Sequence, residues 1–464
     1  MRGDTNCWIG WAKRSILIIL FFALLLASCT TASTPEPIST PTEPAEPKQG
    51  VKDQPTKEDL VENRETIAPE DTLPYLGLTY ISPDGNRVVA GSSRTALSSI
   101  DIRLQGQPLW VVSAPFQGMS VWYVVLTTGQ VQVFHVNGTK VLEQTPDVSS
   151  LPAGMPPALA AQKGVVHLLP VTPDASVVTN PVQLGGGTVA YVDDDGNLVL
   201  NRSGQFEQLA LDVLPDARIL IDETGRLLFL SGQSSMYAHG VLGDSLEATA
   251  ITLVDVNTNP ILSQVIEIAA GDVIEGTAPI WVDIDGDGAR EIVVTQTNAT
   301  EGARIVVYRE DGSILAQGDP IGQGYRWRHQ LAVAQFIPGG AMEIAAVRTP
   351  HIGGVVEIYT LEDDRLEVAA TLSGYSSHQI GSRNLDSAFA GDMNGDGLVE
   401  LILPNQAQTG LASIQYAEDG LHVVWSASLG GKLSTNLSAV SLPDGTVAFG
   451  AGTSNQILRI WFQD

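Results

Sequence analysis

The sequence predicts an all-β chain, a β-propeller of four-stranded antiparallel blades. Three observations predict it. Two acidic loops share one residue pattern, the pattern returns at a spacing of blade size, and hairpin-type segments follow each return.

The loops are Asp283-Ile284-Asp285-Gly286-Asp287-Gly288-Ala289-Arg290-Glu291 and Asp392-Met393-Asn394-Gly395-Asp396-Gly397-Leu398-Val399-Glu400. Both fit D-x-[DN]-x-D-G-x-x-E and run into an apolar segment, Ile292–Val294 or Leu401–Leu403. Oxygens at positions 1, 3 and 5 converge when such a loop is tight, and the glycine at position 6 permits the turn. With the position 7 carbonyls of Ala289 and Leu398 and the side chains of Glu291 and Glu400, these are hard ligands that suit Ca²⁺. An EF-hand is excluded because position 12 is Val294 or Leu403 where a bidentate Glu is required, and because the flanks are strand-like. The expectation is two structural calcium sites between strands.

Between the copies, Gln335–Ile344 keeps Gly340 and Glu343 in register, with Gln335, Ile337 and Gly339 at positions 1, 3 and 5. This copy keeps the turn and loses the ligands. Glu291, Glu343 and Glu400 are thus 52 and then 57 residues apart. After each loop the chain reads as a strand followed by a hairpin. The hairpins are Ala303–Gln317, Val355–Leu372 and Ala412–Ser428, turning at Glu310-Asp311-Gly312, Glu362-Asp363-Asp364 and Glu418-Asp419-Gly420. Thr277–Val282 and Ser387–Ala390 supply a further strand before the loops, which makes four per repeat.

These loops resemble the FG-GAP/VCBS-type repeats of integrin-like propellers, over about residues 273–432. Upstream, Ser82-Pro83-Asp84-Gly85 resembles the turn of TolB- and WD40-type blades. Residues 121–144 and 188–209 resemble strands of PQQ-type repeats. The resemblance implies calcium in blade loops and a ring used as an interaction platform. It implies no single activity, because function is set by sites and not by fold.

The N-terminus reads as an address. Arg2, Lys13 and Arg14 precede the apolar run Ile16–Ala27, too short for an ordinary membrane span and suited to a signal-peptide core. Leu26-Ala27-Ser28-Cys29 resembles the lipobox of bacterial lipoproteins, which implies cleavage before Cys29 and its lipidation. The only other cysteine is Cys7, within the signal, so no thiol remains for a disulfide or a Cys-ligated metal. Residues 1–28 are read as the signal peptide. Residues 29–73 are the lipidated cysteine and a disordered linker rich in Pro, Thr and Glu, and 74–464 are the propeller domain. The expected place is the outer side of the cytoplasmic membrane, or the outer membrane of a diderm envelope, with lipid on Cys29 as the membrane contact.

The propeller domain divides into about seven blades at the observed period, the number expected here, with eight possible if residues 151–211 are split in two. The last unit ends one strand short, and the region near Tyr75–Ile81 is expected to supply the missing strand. With 25 Lys+Arg against 52 Asp+Glu, the formal charge of −27 excludes a nucleic-acid partner.

Other constellations are weaker. Gly243-Asp244-Ser245-Leu246 matches the GDSL hydrolase motif and Asp419-Gly420-Leu421-His422 has D-x-x-H spacing, but those enzymes place the motif near the start of an α/β domain, so here it reads as a loop. Asp193-Asp194-Asp195-Gly196 reads as a hairpin turn. Arg326-Trp327-Arg328-His329 is a dense basic and aromatic cluster before a presumed inner strand, and His378 and Arg383 hold the corresponding stretch of the next unit. Together they could clamp an acidic or glycan ligand. Alternatively, Trp327 packs between blades and the arginines pair with acids. The leading expectation is a non-enzymatic scaffold with a protein or glycan ligand. The alternatives are a propeller-scaffold enzyme such as a polysaccharide lyase, or an envelope assembly factor.

Overall fold

The computed structural model describes residues 75–93, 97–162, 164–237, 239–259 and 261–463. The signal segment, Cys29 and the linker to residue 73 lie outside them. The described chain is all-β, with one short 3-10 turn at Gly185–Gly187.

The strands form successive antiparallel meanders. The first is Pro108–Phe116, Met119–Leu126, Val131–Asn137 and Lys140–Gln144. The second is Leu159–Gln162 and Val165–Leu168, with Tyr75–Gly77 paired to it. The third runs Val182–Gln183, Val189–Val192, Asn197–Arg202 and Gln205–Ala210. The fourth runs Leu220–Ile221, Leu227–Ser234, Glu247–Asp255 and Leu262–Glu267. The fifth runs Ile280–Val282, Glu291–Thr297, Arg304–Arg309 and Ile314–Gly318. The sixth runs Arg328–Ala334, Glu343–Arg348, Val355–Glu362 and Arg365–Ser373. The seventh runs Phe389–Asp392, Glu400–Pro404, Gly410–Ala417 and Gly420–Ser428. The eighth is Leu433–Ser441, Val447–Thr453 and Ile457–Gln463, completed by Leu97–Arg103. The hairpins expected from the sequence in the fifth, sixth and seventh meanders all form.

Burial follows position within each meander. Second strands such as Glu291–Thr297 are buried at every residue, because both faces meet neighbouring meanders. Last strands such as Arg365–Ser373 alternate between buried and exposed, as one face meets water. Apolar clusters then link the meanders in order. Trp110 and Tyr123 pack with Leu159 and Leu168 between the first and second. One large cluster carries Leu76, Leu198, Phe229 and Trp281 across the second to the fifth. Val293 meets Val333, Ala345 meets Leu401, and Phe389 meets Phe449 in the next three clusters. Val111 and Trp122 finally pack with Val440 and Ile460, so the packing returns from the eighth meander to the first. Trp122, Trp281, Phe389 and Phe449 are each under 2 % exposed, and truncating a side chain of this size in a core costs about 3–5 kcal/mol.

The strand that completes the last meander differs from the expected one. Leu97–Arg103 pairs with Ile457–Gln463 in full register, Ile100 opposite Ile460. Its alternation, with Ser99, Asp101 and Arg103 exposed and Ile102 buried, suits an outermost strand. Tyr75–Gly77 pairs instead with Leu159–Gln162, and the residues after it are too apolar for an edge: Leu76, Leu78 and Tyr80 are at most 3 % exposed.

That early segment runs through the middle of the molecule. The Tyr80 hydroxyl donates to the carbonyl of Ile219, and the Trp281 amide donates to the carbonyl of Asp84. The Asn86 side chain brackets Val333, donating to its carbonyl and accepting from its amide. Arg87 donates to the carbonyl of Leu331 and holds Asp386 at 3.0 Å, with Thr79 on the other Asp386 oxygen at 2.9 Å. The Asn436 amide reaches the carbonyl of Thr79. Residues 79–87 therefore bind the fourth to the eighth meanders, and the axis is filled by backbone and paired charge.

Candidate metal centres

Connections between first and second strands, and between third and fourth, lie at one end of the meanders. The remaining connections lie at the other end. Both acidic loops join a first to a second strand, so they share a face.

The two loops adopt the same conformation. The position 6 glycines, Gly288 and Gly397, have φ of 90° and 85°, and the position 4 glycines, Gly286 and Gly395, both have 79°. A side chain would be strained there. Asp283 Oδ1 accepts from the Gly286 amide at 2.8 Å and Oδ2 from Gly288 at 3.0 Å. Asp392 does the same with Gly395 at 2.7 Å and Gly397 at 3.0 Å. Asp287 and Asp396 each accept from the next-but-one amide, Ala289 at 2.7 Å and Leu398 at 2.9 Å.

This geometry gathers ligand atoms. Asp283, Asp285 and Asp287 bring carboxylate oxygens within 4.8 Å of one another, as do Asp392, Asp396 and Glu400. Asn394 lies in the second group, donating to Asp396 at 3.1 Å. Two acidic clusters that could hold a metal ion thus stand at the positions read from the sequence.

The position 9 glutamates have a role the sequence did not reveal. Glu291 Oε2 accepts from the Ile284 amide at 3.0 Å, and Glu400 Oε2 from Met393 at 2.5 Å. In the loop without aspartates, Glu343 Oε2 accepts from Phe336 at 2.8 Å and Ile337 at 3.1 Å. All three are buried and tie the loop back to its second strand. Burial pushes the Glu291 and Glu400 carboxyls up to about 7, reinforced by the neighbouring aspartates. Glu343 is raised by burial as well. Glu291 stands outside the three-aspartate group and anchors its loop, whereas Glu400 does both.

The opposite face carries the basic and aromatic residues, and most are committed to the fold. Arg328 is buried, 3.2 Å from Glu357, and donates to the carbonyls of Ala303 and Asp319. Arg383 pairs with Asp244 at 2.6 Å and Asp216 at 3.3 Å. Trp327 is 2 % exposed and stacks on His329 at 4.9 Å. His378 contacts His351 at 2.7 Å and the carbonyl of Ser382 at 2.6 Å. Arg326 alone of the three arginines is exposed. Arg328 and Arg383 do not converge as an anion clamp, because Glu357 of the sixth meander and Asp216 and Asp244 of the fourth neutralise them. Asp193 is a turn residue, its carboxylate taken by Asp195, Asn197 and Gln208.

The same face holds groups that sequence reading missed. His239 Nδ1 meets Glu275, and the His239 ring faces Tyr237 and Tyr325 at 5.9 and 5.6 Å. Glu247 and Glu275 are 2 % and 1 % exposed, and each leaves one oxygen without a partner among the described residues. Burial raises Glu247 to about 9, helped by Glu275, Asp216 and Asp244. Asp216 rises to about 6, also chiefly through burial. Burial lowers His351 and His378 to about 4, reinforced by His239 beside the first and by His351 beside the second. Four of the seven histidines, at 239, 329, 351 and 378, gather here. The available signal was position: His351, like Asp244, lies between a second and a third strand, at the same end as Arg326.

No family model matches this chain, and no curated protein matches it. Among solved structures, a streptogramin B lyase structure is 11% identical with a TM-score of 0.40, over 79% of this chain and 97% of that one. The selenomethionine-substituted virginiamycin B lyase from Staphylococcus aureus is also 11% identical with a TM-score of 0.40, over 80% and 100%. No activity, ligand or partner carries over from likeness of this size.

Proposed function

We propose that the chain is an eight-bladed β-propeller, lipid-anchored at Cys29 outside the cytoplasmic membrane, that binds calcium in two loops and serves as a non-enzymatic interaction scaffold. The observation that carries the metal reading is the identical hydrogen-bonded geometry of the Asp283–Glu291 and Asp392–Glu400 loops. Hard oxygen ligands of this number suit calcium. When bound, calcium supplies charge neutralisation and cross-links each loop. The blade number rests on the eight meanders, whose packing runs from the last back to the first. The filled axis supports a scaffold over an enzyme that works down a central channel. The face with Arg326 and the histidines, opposite the metal loops, would meet a protein or glycan.

For an extracellular module a Kd of about 10⁻⁴ M is reasonable, which at millimolar calcium stabilises by about 1.4 kcal/mol per site. Thermal melts with calcium and with a chelator test this. Calcium should raise the melting temperature, and Asp283→Ala with Asp392→Ala should abolish the rise. Identical melts in calcium and chelator would sink the metal reading.

A second reading has one specific observation behind it. His239 on Glu275, beside a protonated Glu247, is a pairing that could move protons, as a polysaccharide lyase requires. Turnover of an acidic polysaccharide that His239→Ala abolishes without lowering the melting temperature would favour it.

A further inference from the structure

A cavity of about 320 Å³ opens beside the second metal loop, between the outer parts of the seventh and eighth meanders. Its walls are Leu97, Met393, Ile402, Val424, Trp425 and Phe449, and its polar end is Asn394, Asp396 and Ser413. The size is at the lower end of small-ligand sites, and apolar walls with a few polar groups at one end are their usual make-up. Trp425 meets Phe449 edge-on at 5.9 Å, and Phe449 stacks on Trp461 at 5.1 Å, so the apolar wall is braced from behind. Val424 is 44% exposed.

Two features of the polar end point to a ligand. Ser413 is 1% exposed, and its Oγ has no protein partner among the described residues. A buried hydroxyl left unpaired costs about 1–3 kcal/mol, so a partner is expected at this position. Asn394 and Asp396 also belong to the acidic loop, so loop and cavity share a wall. The loop offers Asp392, Asn394, Asp396, the Leu398 carbonyl and Glu400, and Glu400 Oε2 is already engaged by the Met393 amide. That makes five oxygens, whereas calcium takes six to eight. At least one position remains for an oxygen from outside the loop.

We propose that this cavity binds a small neutral amphiphile with a hydroxyl head, whose oxygen completes the coordination of the cation held by the Asp392–Glu400 loop. The proposal rests on the metal reading above. A hydroxyl suits the site because its oxygen can face the cation while its proton is donated to Ser413; Asp396 already accepts from Leu398, Asn394 and Gln415. An anionic head is disfavoured, since three carboxylates outweigh one divalent ion. The apolar body lies against Trp425, Phe449 and Ile402, and its burial contributes roughly 25 cal/mol per Å².

The test titrates octane-1,2-diol into the full chain by calorimetry, with calcium and with chelator, alongside thermal melts. Binding should be at least tenfold weaker with chelator. Val424→Lys, at an exposed position, should abolish binding and leave the calcium-induced rise in melting temperature intact. Ser413→Ala should weaken binding several-fold. Equal affinity with and without calcium overturns the proposal. So does absence of binding in protein whose melt responds to calcium, which leaves the metal reading standing. No response of the melt to calcium overturns both.

Discussion

Glu247→Gln is expected to make the protein more stable at neutral pH, and the gain can be worked from its surroundings. Glu247 is 2 % exposed and faces Glu275, Asp216 and Asp244. The nearby basic side chains are already engaged: Arg383 by Asp216 and Asp244, and His239 by Glu275. Burial and these acids raise its carboxyl from 4.5 to about 9. The folded chain therefore holds a proton that the unfolded chain releases above pH 4.5. For a raised folded value, the stabilisation is fully present below the unfolded value and is lost as pH rises toward the folded one. At pH 7 the loss depends only on the distance from the unfolded value, about 2.5 units, or about 3 kcal/mol at roughly 1.4 kcal/mol per unit. Glutamine keeps the shape and an oxygen for the Gly276 amide that Glu247 accepts. Urea denaturation of both proteins from pH 4 to 9 reads the difference. The curves should meet near pH 4.5 and diverge by about 3 kcal/mol at pH 7. A variant that tracks the parent at every pH would show that Glu247 is not held protonated in the fold.

Glu343→Ala should destabilise by about 1–3 kcal/mol, because it strands the Ile337 amide and leaves the Phe336 amide only the Ala334 carbonyl, in a loop without aspartates. The loss in melts should be the same with calcium and with chelator. Arg87→Ala leaves Asp386 buried at 3 % exposure, facing Thr79 and, at 3.9 Å, Arg218. A loss of about 3–5 kcal/mol in denaturant unfolding is expected, and a change under 1 kcal/mol would count against an axis held by paired charge. Cys29→Ser should stop incorporation of labelled fatty acid and leave an unprocessed precursor, and label that persists in the variant would refute the anchor.

The two acidic loops were legible because the residues that could hold an ion are contiguous. Asp283 to Glu291 contains every group that shapes the turn, and local hydrogen bonds decide it. The strands of the fifth to seventh meanders were legible for the same reason, as each hairpin turns on consecutive acidic residues within its own segment, followed by glycine in the fifth and seventh. The anchoring role of Glu343 could have been read from its survival in a repeat without aspartates. What stayed hidden depends on pairs distant in sequence. Leu97–Arg103 and Tyr75–Gly77 are both strand-like, and only the partner 360 residues away distinguishes them. The partners of Arg328 and Arg383 were not legible, because Glu357, Asp216 and Asp244, which neutralise them, come from other segments. His239 and Glu275 meet across 36 residues, with no local pattern to announce them.

The segment filling the axis also orders events in time. Residues 79–87 leave the ribosome before any meander they bind. Thr79 reaches Asp386 across 307 residues and Asn436 across 357. These contacts close very long loops, whose entropy must be met before the contacts reward it, so folding should be slow and should end with a single late step. Until the last meander arrives, Thr79 lacks its Asn436 contact and Leu97–Arg103 has no strand to pair with. A chain cut short near residue 430 would therefore lose more than one meander. It would lose the condition under which the others stay together, and its open edge would invite pairing between chains. Quality is thus judged at the carboxyl end, where a complete chain alone can close.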